Sequence, residues 1–403
     1  MSRPATTLMM GALLSLLSTA VAAAWQLEPE LRISEQWQDN VGLVAESDQP
    51  VSAASVGAVV GVGLRQQQPR SSLQLLGRLD GNHYLRADEA LHDSVNQLWR
   101  FDGRYRSRPQ QQWRLQADLR RDTLWRTLAD AEDSELLGSR LAADTDPYLV
   151  SRSIRRDRLL LAPAIEFALS ERSELIIELR HLQVRYDALD SDLSEYREAQ
   201  LSGQWRYHLN ERDWLNTTLR TIRYRNRQSD LEVVSEEALL GFGSHLSPTT
   251  DIGFEVGVQR SRFLEPDAAE DQESGALLTL DADHRSDRGR YRVSLVRTLL
   301  PSGAGERLIN HELQLQLEPN WGELTQVALQ GRLFRTEALR AAGRDAERRY
   351  LELEPAISHR LSRWWQLRLS YRYQQQRDIA ASSTAEGNQI RLSATYRRQR
   401  PLP

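Results

Sequence analysis

The feature that most constrains this chain is an alternation of apolar and polar residues with a period of two, which recurs from end to end. Successive side chains of a β-strand point to opposite faces, so this pattern predicts strands with one apolar face, and helical spacing fits it poorly. The clearest runs are Val56–Leu64, Trp113–Leu119, Leu159–Leu169, Ala199–Leu209, Ile252–Val258, Ala276–Ala282, Leu313–Leu317, Trp365–Tyr373 and Ile390–Tyr396.

Weaker runs of the same kind raise the predicted total to about eighteen strands, within a range of about sixteen to eighteen. They lie near residues 27–38, 73–83, 95–105, 175–186, 215–224, 237–246, 291–299, 324–334 and 351–361. Several runs are longer than the roughly five or six residues of soluble strands and match the roughly ten that a tilted strand needs to cross a bilayer. The predicted fold is therefore all-β, a transmembrane antiparallel up-and-down β-barrel.

The predicted connections fall into a short class and a long class that alternate along the chain. The short turns are Ser170–Ser173, Asn210–Asp213, Ser247–Thr249, Ser286–Gly289, Pro319–Gly322 and Ser362–Arg363. The longer segments are Asn40–Ala53, Asp122–Arg152, Asp187–Glu195, Arg225–Glu232, Glu265–Glu273, Thr336–Glu347 and Gln375–Gly387. This rhythm is typical of outer-membrane barrels with short periplasmic turns, and it predicts that both termini are periplasmic. A soluble β-sandwich or propeller also alternates, but it explains neither the strand lengths nor the rhythm.

The N-terminus has the pattern of a secretory signal peptide. Arg3 precedes an apolar stretch, Leu8–Leu17, which is too short to span a bilayer, and Ala22–Ala24 forms a cleavage site. We therefore predict a signal peptide over residues 1–24 and a barrel domain over 25–403. The mean hydropathy of −0.57 does not contradict this prediction, because membrane strands alternate lipid-facing apolar residues with polar ones. The chain has no cysteine, so this exported domain has no disulfides.

The sequence shows no constellation that predicts catalysis. Its eight histidines are scattered without metal-ligand spacing, and no Gly-x-Ser-x-Gly motif occurs. Ser244 and His245 are neighbours on a predicted strand, so their side chains point to opposite faces. We expect no enzymatic activity, no metal, no cofactor and no nucleic-acid partner.

The residues between the apolar positions predict a polar lumen of mixed charge. The candidate lumen-lining residues are Arg100, Arg104, Arg114, Arg120, Arg206, Arg220, Glu352, Arg368, Arg372 and Arg391. Arginine binds carboxylate and sulfate groups, which suits an anionic polysaccharide. Alternatively, these residues pair with carboxylates on neighbouring strands. A barrel of this size encloses a water-filled channel or a plugged lumen, and the segment Leu124–Ala143 is a candidate for a partly helical plug.

The predicted outer loops carry an excess of acidic residues. They include Asp130, Glu132, Asp133, Glu135, Asp144, Asp146, Glu265, Asp267, Glu270, Asp271 and Glu273. Divalent cations can bridge such loops to lipopolysaccharide, although a solvated loop requires no ligand. Outer-membrane lipid and lipopolysaccharide are accordingly the expected surroundings of the barrel.

Two stretches resemble a known family. The segment Ile33–Leu43, with Trp37, Asp39 and Asn40, is similar to the first strand and loop of β-barrel porins found with exopolysaccharide and PEP-CTERM systems of proteobacteria. The segments Arg158–Ser170 and Leu351–Ser362 resemble a hairpin motif of that family. Asp39 and Asn40 are either functional or, in the alternative interpretation, residues that stabilise the turn into the first loop.

The polar lumen and this resemblance together imply an outer-membrane channel or scaffold associated with exopolysaccharide secretion, with periplasmic export components as partners. Two alternatives remain open. One is a general passive porin, and the other is a non-conducting structural barrel that docks periplasmic partners.

Overall fold

The structure is a computed structural model. It describes residues 25–45, 49–85, 93–123, 154–187, 193–264, 271–303, 305, 307–340, 347–379, 382–398 and 400–401. The predicted signal peptide, the candidate plug Leu124–Ala143 and the acidic residues from Asp130 to Asp146 lie outside these residues, as do Glu265, Asp267 and Glu270. Among the described residues, no helix is long and apolar enough to cross a membrane.

In the described part of the chain, eighteen long strands form the wall, and each overlaps one of the runs that the alternation predicts. They are β1 Trp25–Gln38, β2 Ala53–Gln67, β3 Ser71–Tyr84, β4 Ser94–Arg108, β5 Gln111–Thr123, β6 Arg155–Ser170, β7 Ser173–Tyr186, β8 Tyr196–His208, β9 Asp213–Asn226, β10 Glu232–Ser247, β11 Thr250–Leu264, β12 Asp271–Ser286, β13 Gly289–Pro301, β14 Arg307–Pro319, β15 Thr325–Ala338, β16 Arg348–Arg360, β17 Trp365–Asp378 and β18 Ser383–Arg397. A two-residue strand, β19, covers Arg400–Pro401.

The sheet closes on itself. Each of β1–β17 pairs antiparallel with the next strand in the chain, and β18 pairs with β1 from Glu30↔Arg397 to Gln38↔Gln389. The short β19 continues this ladder against Gln26 and Leu27. Closure leaves no free sheet edge. The predicted antiparallel up-and-down barrel is therefore confirmed.

The connections alternate between the two ends of the barrel. Each even-numbered strand is joined to the next odd-numbered strand by a turn of two to five residues; 109–110 is one of the shortest and 320–324 is the longest. Both ends of the described chain lie at the same end of the barrel as these turns. The other connections include 39–52, 124–154 and 339–347. The predicted long segment Gln375–Gly387 is wrong in length, since the connection covers only 379–382. The β17–β18 ladder continues between polar residues, where Gln375 Nε2 donates to Glu386 Oε1 over 2.8 Å.

The wall has an apolar outward face and a polar inward face. Leu201, Leu240 and Val258 point outward and are 55–64% exposed in the isolated barrel. Trp113, Trp205 and Trp365 lie on the same face close to the short turns, where aromatic residues typically form the membrane-interface girdle. Inward positions are mostly charged or amide side chains. An apolar outer surface around a polar lumen is what a membrane-spanning barrel requires.

One inward region is apolar, although the alternation predicts polar side chains at inward positions. Near the long-connection ends of β6–β11, large apolar side chains point into the barrel and pack with residues from the connections. This lumenal apolar cluster consists of Ile154, Leu160, Leu182, Val184, Tyr186, Leu193, Tyr196, Tyr224, Leu231, Val233, Phe263, Leu299 and Leu339. Burial of this much apolar surface fixes the connections against the wall and narrows this end of the lumen.

Candidate functional site: the inner wall of the barrel

All the residues predicted to line the lumen lie on the inward face. Their neighbours along each strand, such as Leu119, Leu219, Leu369 and Ile390, are exposed on the outward face. The strand period of two then places the arginines between them inside. The structure therefore brings the predicted residues to one surface, although they are spread over many strands.

Most of the inward arginines form ion pairs with carboxylates on a neighbouring strand. Arg100 Nη2 donates to Asp118 Oδ2 over 2.9 Å, and Arg158 Nη1 lies 3.6 Å from Asp118 Oδ1. These three side chains are at most 6% exposed. One buried carboxylate thus holds guanidinium groups from the strands on both sides of it, a typical charge-assisted arrangement.

The pattern repeats around the barrel. Arg206 Nη1 donates to Glu174 Oε1 over 2.6 Å, and Arg220 Nη1 donates to Glu237 Oε2 over 3.3 Å. Arg114 lies 3.7 Å from Glu166. Such pairs satisfy each other across adjacent strands.

Strands β16–β18 hold four more of the predicted residues, and one of these bonds to β1. Glu354 accepts from Arg368 over 3.1 Å and from Arg372 over 2.7 Å, whereas Arg391 donates to the amide oxygen of Gln36 over 3.0 Å. Glu352, two residues before Glu354 on the inward face of β16, accepts from the Tyr350 hydroxyl over 2.7 Å and from the Gln374 amide over 3.0 Å. These residues form a connected polar network along the inner wall.

Arg104 and Arg120 differ from the others. Arg104 lies opposite Arg114 in the register of β4 and β5, is exposed, and forms no ion pair with any described residue. Arg120 lies between Asp118 and Asp122 on the inward face of β5 and opposite Arg158 on β6. Arg104 is therefore the predicted contact most available to a solute, whereas a solute would have to compete with wall carboxylates for most of the others.

Asp39 and Asn40 hold the start of the first connection against the last strand. Asp39 accepts from the backbone N–H and the side-chain amide of Asn388, both over 2.7 Å. The Asn40 amide donates to the carbonyl oxygens of Val44 and Glu386 over 2.8 Å and accepts from the Val44 N–H over 3.0 Å. This geometry positions a turn at the β1–β18 seam.

The segment that follows Asn40 turns into the barrel. Leu43 is buried against Phe334, Tyr350 and Ala385, which are inward residues of β15, β16 and β18. The first connection therefore covers part of the lumen instead of extending away from it. Sequence reasoning missed this contact because only the closed barrel brings β15 and β16 within reach of residue 43.

A second inward segment joins β13 to β14. We call Ser302, Gly303 and Gly305 the inward loop. Its carbonyl oxygens accept from the Tyr224 hydroxyl over 3.3 Å, the Ser194 N–H over 2.6 Å and the Asn226 amide over 3.1 Å. These donors lie on β9 and just before β8, so the inward loop reaches across several strands of the mouth.

Gly305 is required for this contact. Its φ is +84°, and a Cβ there would overlap the Asn226 amide and lie 2.9 Å from Ser194 Oγ. Only glycine combines that backbone conformation with so close an approach. The small residues from Ser302 to Gly305 are the sequence signal for this loop, which the apolar–polar alternation does not register.

Arg307, the first residue of β14, lies beside the inward loop and is 1% exposed. Its Nη1 donates to Ser235 Oγ on β10 over 2.6 Å, and its Nη2 lies 3.6 Å from Glu198 Oε2 on β8. A single guanidinium thus links three non-adjacent strands. Together with the inward loop and Leu43, it narrows the mouth at the long-connection end.

His83 forms a local pair at the end of β3. His83 Nδ1 lies 2.7 Å from Asp93 Oδ2 in the β3–β4 connection. This hydrogen bond and a second from the Tyr84 N–H lower the pKa of Asp93 below its usual 3.8. Within the described residues, no three His, Asp or Glu side chains form a cation site.

Comparisons with known proteins give only structural similarities. No family model matches the chain. No curated protein matches it either. Solved structures of similar architecture include the outer-membrane protein OpdK from Pseudomonas aeruginosa, with 11% identity and a TM-score of 0.49, covering 93% of this chain and 99% of that one.

Two further structures match over similar lengths. OccK2 (OpdF) from Pseudomonas aeruginosa, solved in complex with glucuronate, has 12% identity and a TM-score of 0.49, covering 93% of this chain and 98% of that one. OccAB4 from Acinetobacter baumannii has 8% identity and a TM-score of 0.48, with the same coverage. At these values the matches assign no substrate. The strand pairing, apolar outer face and polar lumen make this protein a porin-like barrel of the outer-membrane type.

Proposed function

We propose that this protein is an outer-membrane channel for small hydrophilic solutes. The observation that supports the proposal is the inner wall, where charged side chains extend over most of the strands inside an apolar outer face. Water and ions are stabilised along such a wall, whereas a structural barrel would require only a packed interior. In this function the short-turn end and both termini face the periplasm, residues 1–24 direct export, and lipopolysaccharide surrounds the opposite rim.

The inward loop and Leu43 favour small solutes over a polymer. They narrow the mouth from two sides, so a polysaccharide chain would require both segments to move. The general porin is therefore a better explanation of this geometry than the exopolysaccharide path that the family resemblance implied. The comparisons lend no support to that path. It remains the second candidate because Arg104 and its neighbours offer guanidinium groups to an anionic polymer.

The channel is tested by single-channel recording of the purified protein in planar bilayers. We expect steady conductance. The double variant Tyr224→Phe/Asn226→Ala removes two anchors of the inward loop, which lowers the free energy of its displacement by about 1–3 kcal/mol. A higher-conductance state should then be populated about tenfold more often. Asn82→Ala, a change of inward Asn on β3 away from the inward loop, is the matched control.

Each outcome is informative. A bilayer that stays silent although insertion is confirmed would contradict the channel and favour the structural barrel. Addition of an anionic polysaccharide to one side tests the second candidate. Block by the polymer that weakens in Arg104→Gln would favour the export path, and indifference to the polymer would favour the general porin.

A further inference from the structure

The inward face near the short turns of β9–β13 contains a trough built around glycines. In the register, Trp214 of β9 lies opposite Gly243 of β10, Gly243 opposite Gly253 of β11, and Gly253 opposite Asp281 of β12. All four positions point into the barrel. The trough therefore has an aromatic side chain at one end, a carboxylate at the other and glycines between them.

Trp214 is distinctive among the tryptophans. Of those in the described strands, it alone has inward parity, and Trp113, Trp205 and Trp365 face outward. Its indole lies over Gly243, where a Cβ would overlap the ring, and its centroid is 4.9 Å from that of His245. Gly243 thus allows the indole to lie close to the wall, and the ring is partly exposed to the lumen.

The part of the wall next to this indole carries no side chain. A Cβ at Gly253 would meet only the Phe242 carbonyl oxygen, 3.9 Å away, so the space above it is open. Adjacent strands are about 4.8 Å apart, so Gly243 and Asp281, separated by one strand, are about 10 Å apart. This width suits one sugar ring with its hydroxyl groups.

Polar groups close the remaining two sides. Towards the short turns, His245 Nδ1 lies 2.5 Å from Asp251 Oδ1, and both side chains are exposed. Towards the middle of the barrel, the Asn216 amide donates to Glu255 above Gly241. Asp281 is exposed and forms no ion pair with any residue in the described part of the chain. These groups offer several acceptors for hydroxyl donors.

The charge around the trough is nearly balanced. Asp283 accepts from three guanidinium groups at 2.8–2.9 Å, those of Arg285, Arg290 and Arg292. Four carboxylates, those of Asp251, Glu255, Asp281 and Asp283, thus face three arginines, which leaves one negative charge in excess. A bound ion of either sign would meet like charges nearby, whereas a neutral ligand avoids this repulsion.

We infer that this trough, the glycine trough, is a binding site for a neutral pyranose ring. The apolar face of the sugar stacks on Trp214, and its hydroxyls donate to Asp281 and Glu255. An aromatic surface with a few convergent polar groups is the usual composition of a small-molecule site. The inference refines the proposed channel, because it names the solute class that the periplasmic mouth would retain.

The test measures binding directly and does not depend on conductance. Neutral trisaccharides of glucose, mannose and galactose are titrated against the purified protein in lipid nanodiscs, and saturation-transfer difference NMR gives the Kd. At least one should bind in the millimolar range, and Trp214→Ala should weaken it by at least about tenfold. Trp205→Phe, on the outward face of the adjacent strand, should leave the Kd unchanged.

A second variant distinguishes a loss of the binding site from a failure of Trp214→Ala to fold. Gly253→Val fills the trough from a position where a Cβ meets only the Phe242 carbonyl oxygen at 3.9 Å. The change keeps Trp214, and it should also abolish binding. The inference would be overturned if no saccharide binds, or if binding survives both variants. It would also be overturned if the site prefers a charged ligand, so that the cation choline or the anion galacturonate binds in a Trp214-dependent way more tightly than the neutral sugars. Conductance without sugar binding would refute the glycine trough alone, and sugar binding to a silent barrel would refute the channel alone.

Discussion

At the scale of single residues, the inner wall is stabilised by carboxylates that each serve more than one arginine. Asp118 lies between Arg100 and Arg158, and Glu354 between Arg368 and Arg372. A buried guanidinium without a counter-charge is strongly unfavourable. Removal of one shared carboxylate should therefore have a larger effect than removal of one arginine.

The variant Asp118→Asn tests this expectation. The amide keeps the shape of the side chain but removes the negative charge that two buried guanidinium groups share, so the free energy of unfolding should fall by about 3–5 kcal/mol. Urea titration of the barrel in lipid vesicles measures it. Asp157→Asn is the control, because Asp157 pairs with Arg121 over 3.3 Å at 42–44% exposure, and such a pair contributes only about 0–1 kcal/mol. Equal losses in the two variants would refute the role of Asp118.

At the scale of elements, the strands depend on one seam that joins the two ends of the chain. β1 and β18 pair over nine residue positions, from Glu30 to Gln38. Asp39 extends the seam by accepting twice from Asn388, and the Asp39 N–H donates to the Asn388 carbonyl oxygen over 3.1 Å. The motif that resembled a family signature thus lies where the sheet closes.

Replacement of Asp39 should weaken this closure. Asp39→Ala removes two hydrogen bonds to a charged acceptor, and we expect a loss of about 1.5–3 kcal/mol in the free energy of unfolding. The folded barrel should also lose its compact electrophoretic mobility at a lower temperature in detergent. Asp187→Ala is the comparison, since its exposed pair with Arg121 lies away from the seam. A variant as stable as the wild type would show that strand pairing alone closes the sheet.

At the scale of the whole molecule, the two faces of the wall are in different solvents. Leu201 and Gln200 are adjacent on β8, and they point outward and inward respectively. Leu201→Arg places a charge in lipid and should destabilise the barrel by about 2–4 kcal/mol, whereas Gln200→Arg places the same charge in the lumen and should have little effect. Unfolding titrations of both variants in vesicles provide the measurement. Similar effects of the two substitutions would contradict the membrane-facing assignment of this surface.

The sequence by itself determined the strands, their faces and their order. The period of two is a local property of each run, so Val56–Leu64 or Trp365–Tyr373 specified a strand and its outward face without reference to the rest of the chain. The short turns then made each even-numbered strand pair with the odd-numbered strand that follows it. The inward positions of the lumen arginines followed from the same parity, because a residue between two lipid-facing positions must point into the barrel.

Only the tertiary structure decided what those inward residues contact. Closure of the sheet brings Tyr224 and Asn226 to the inward loop and Leu43 to Phe334 and Tyr350. It also brings Arg307 of β14 to β10 and β8. Parity gives the direction of a side chain but not its partner across the lumen, which depends on the curvature and stagger of the barrel. The lumenal apolar cluster and the glycine trough arise in the same way, since each joins residues from several strands that are distant in the chain.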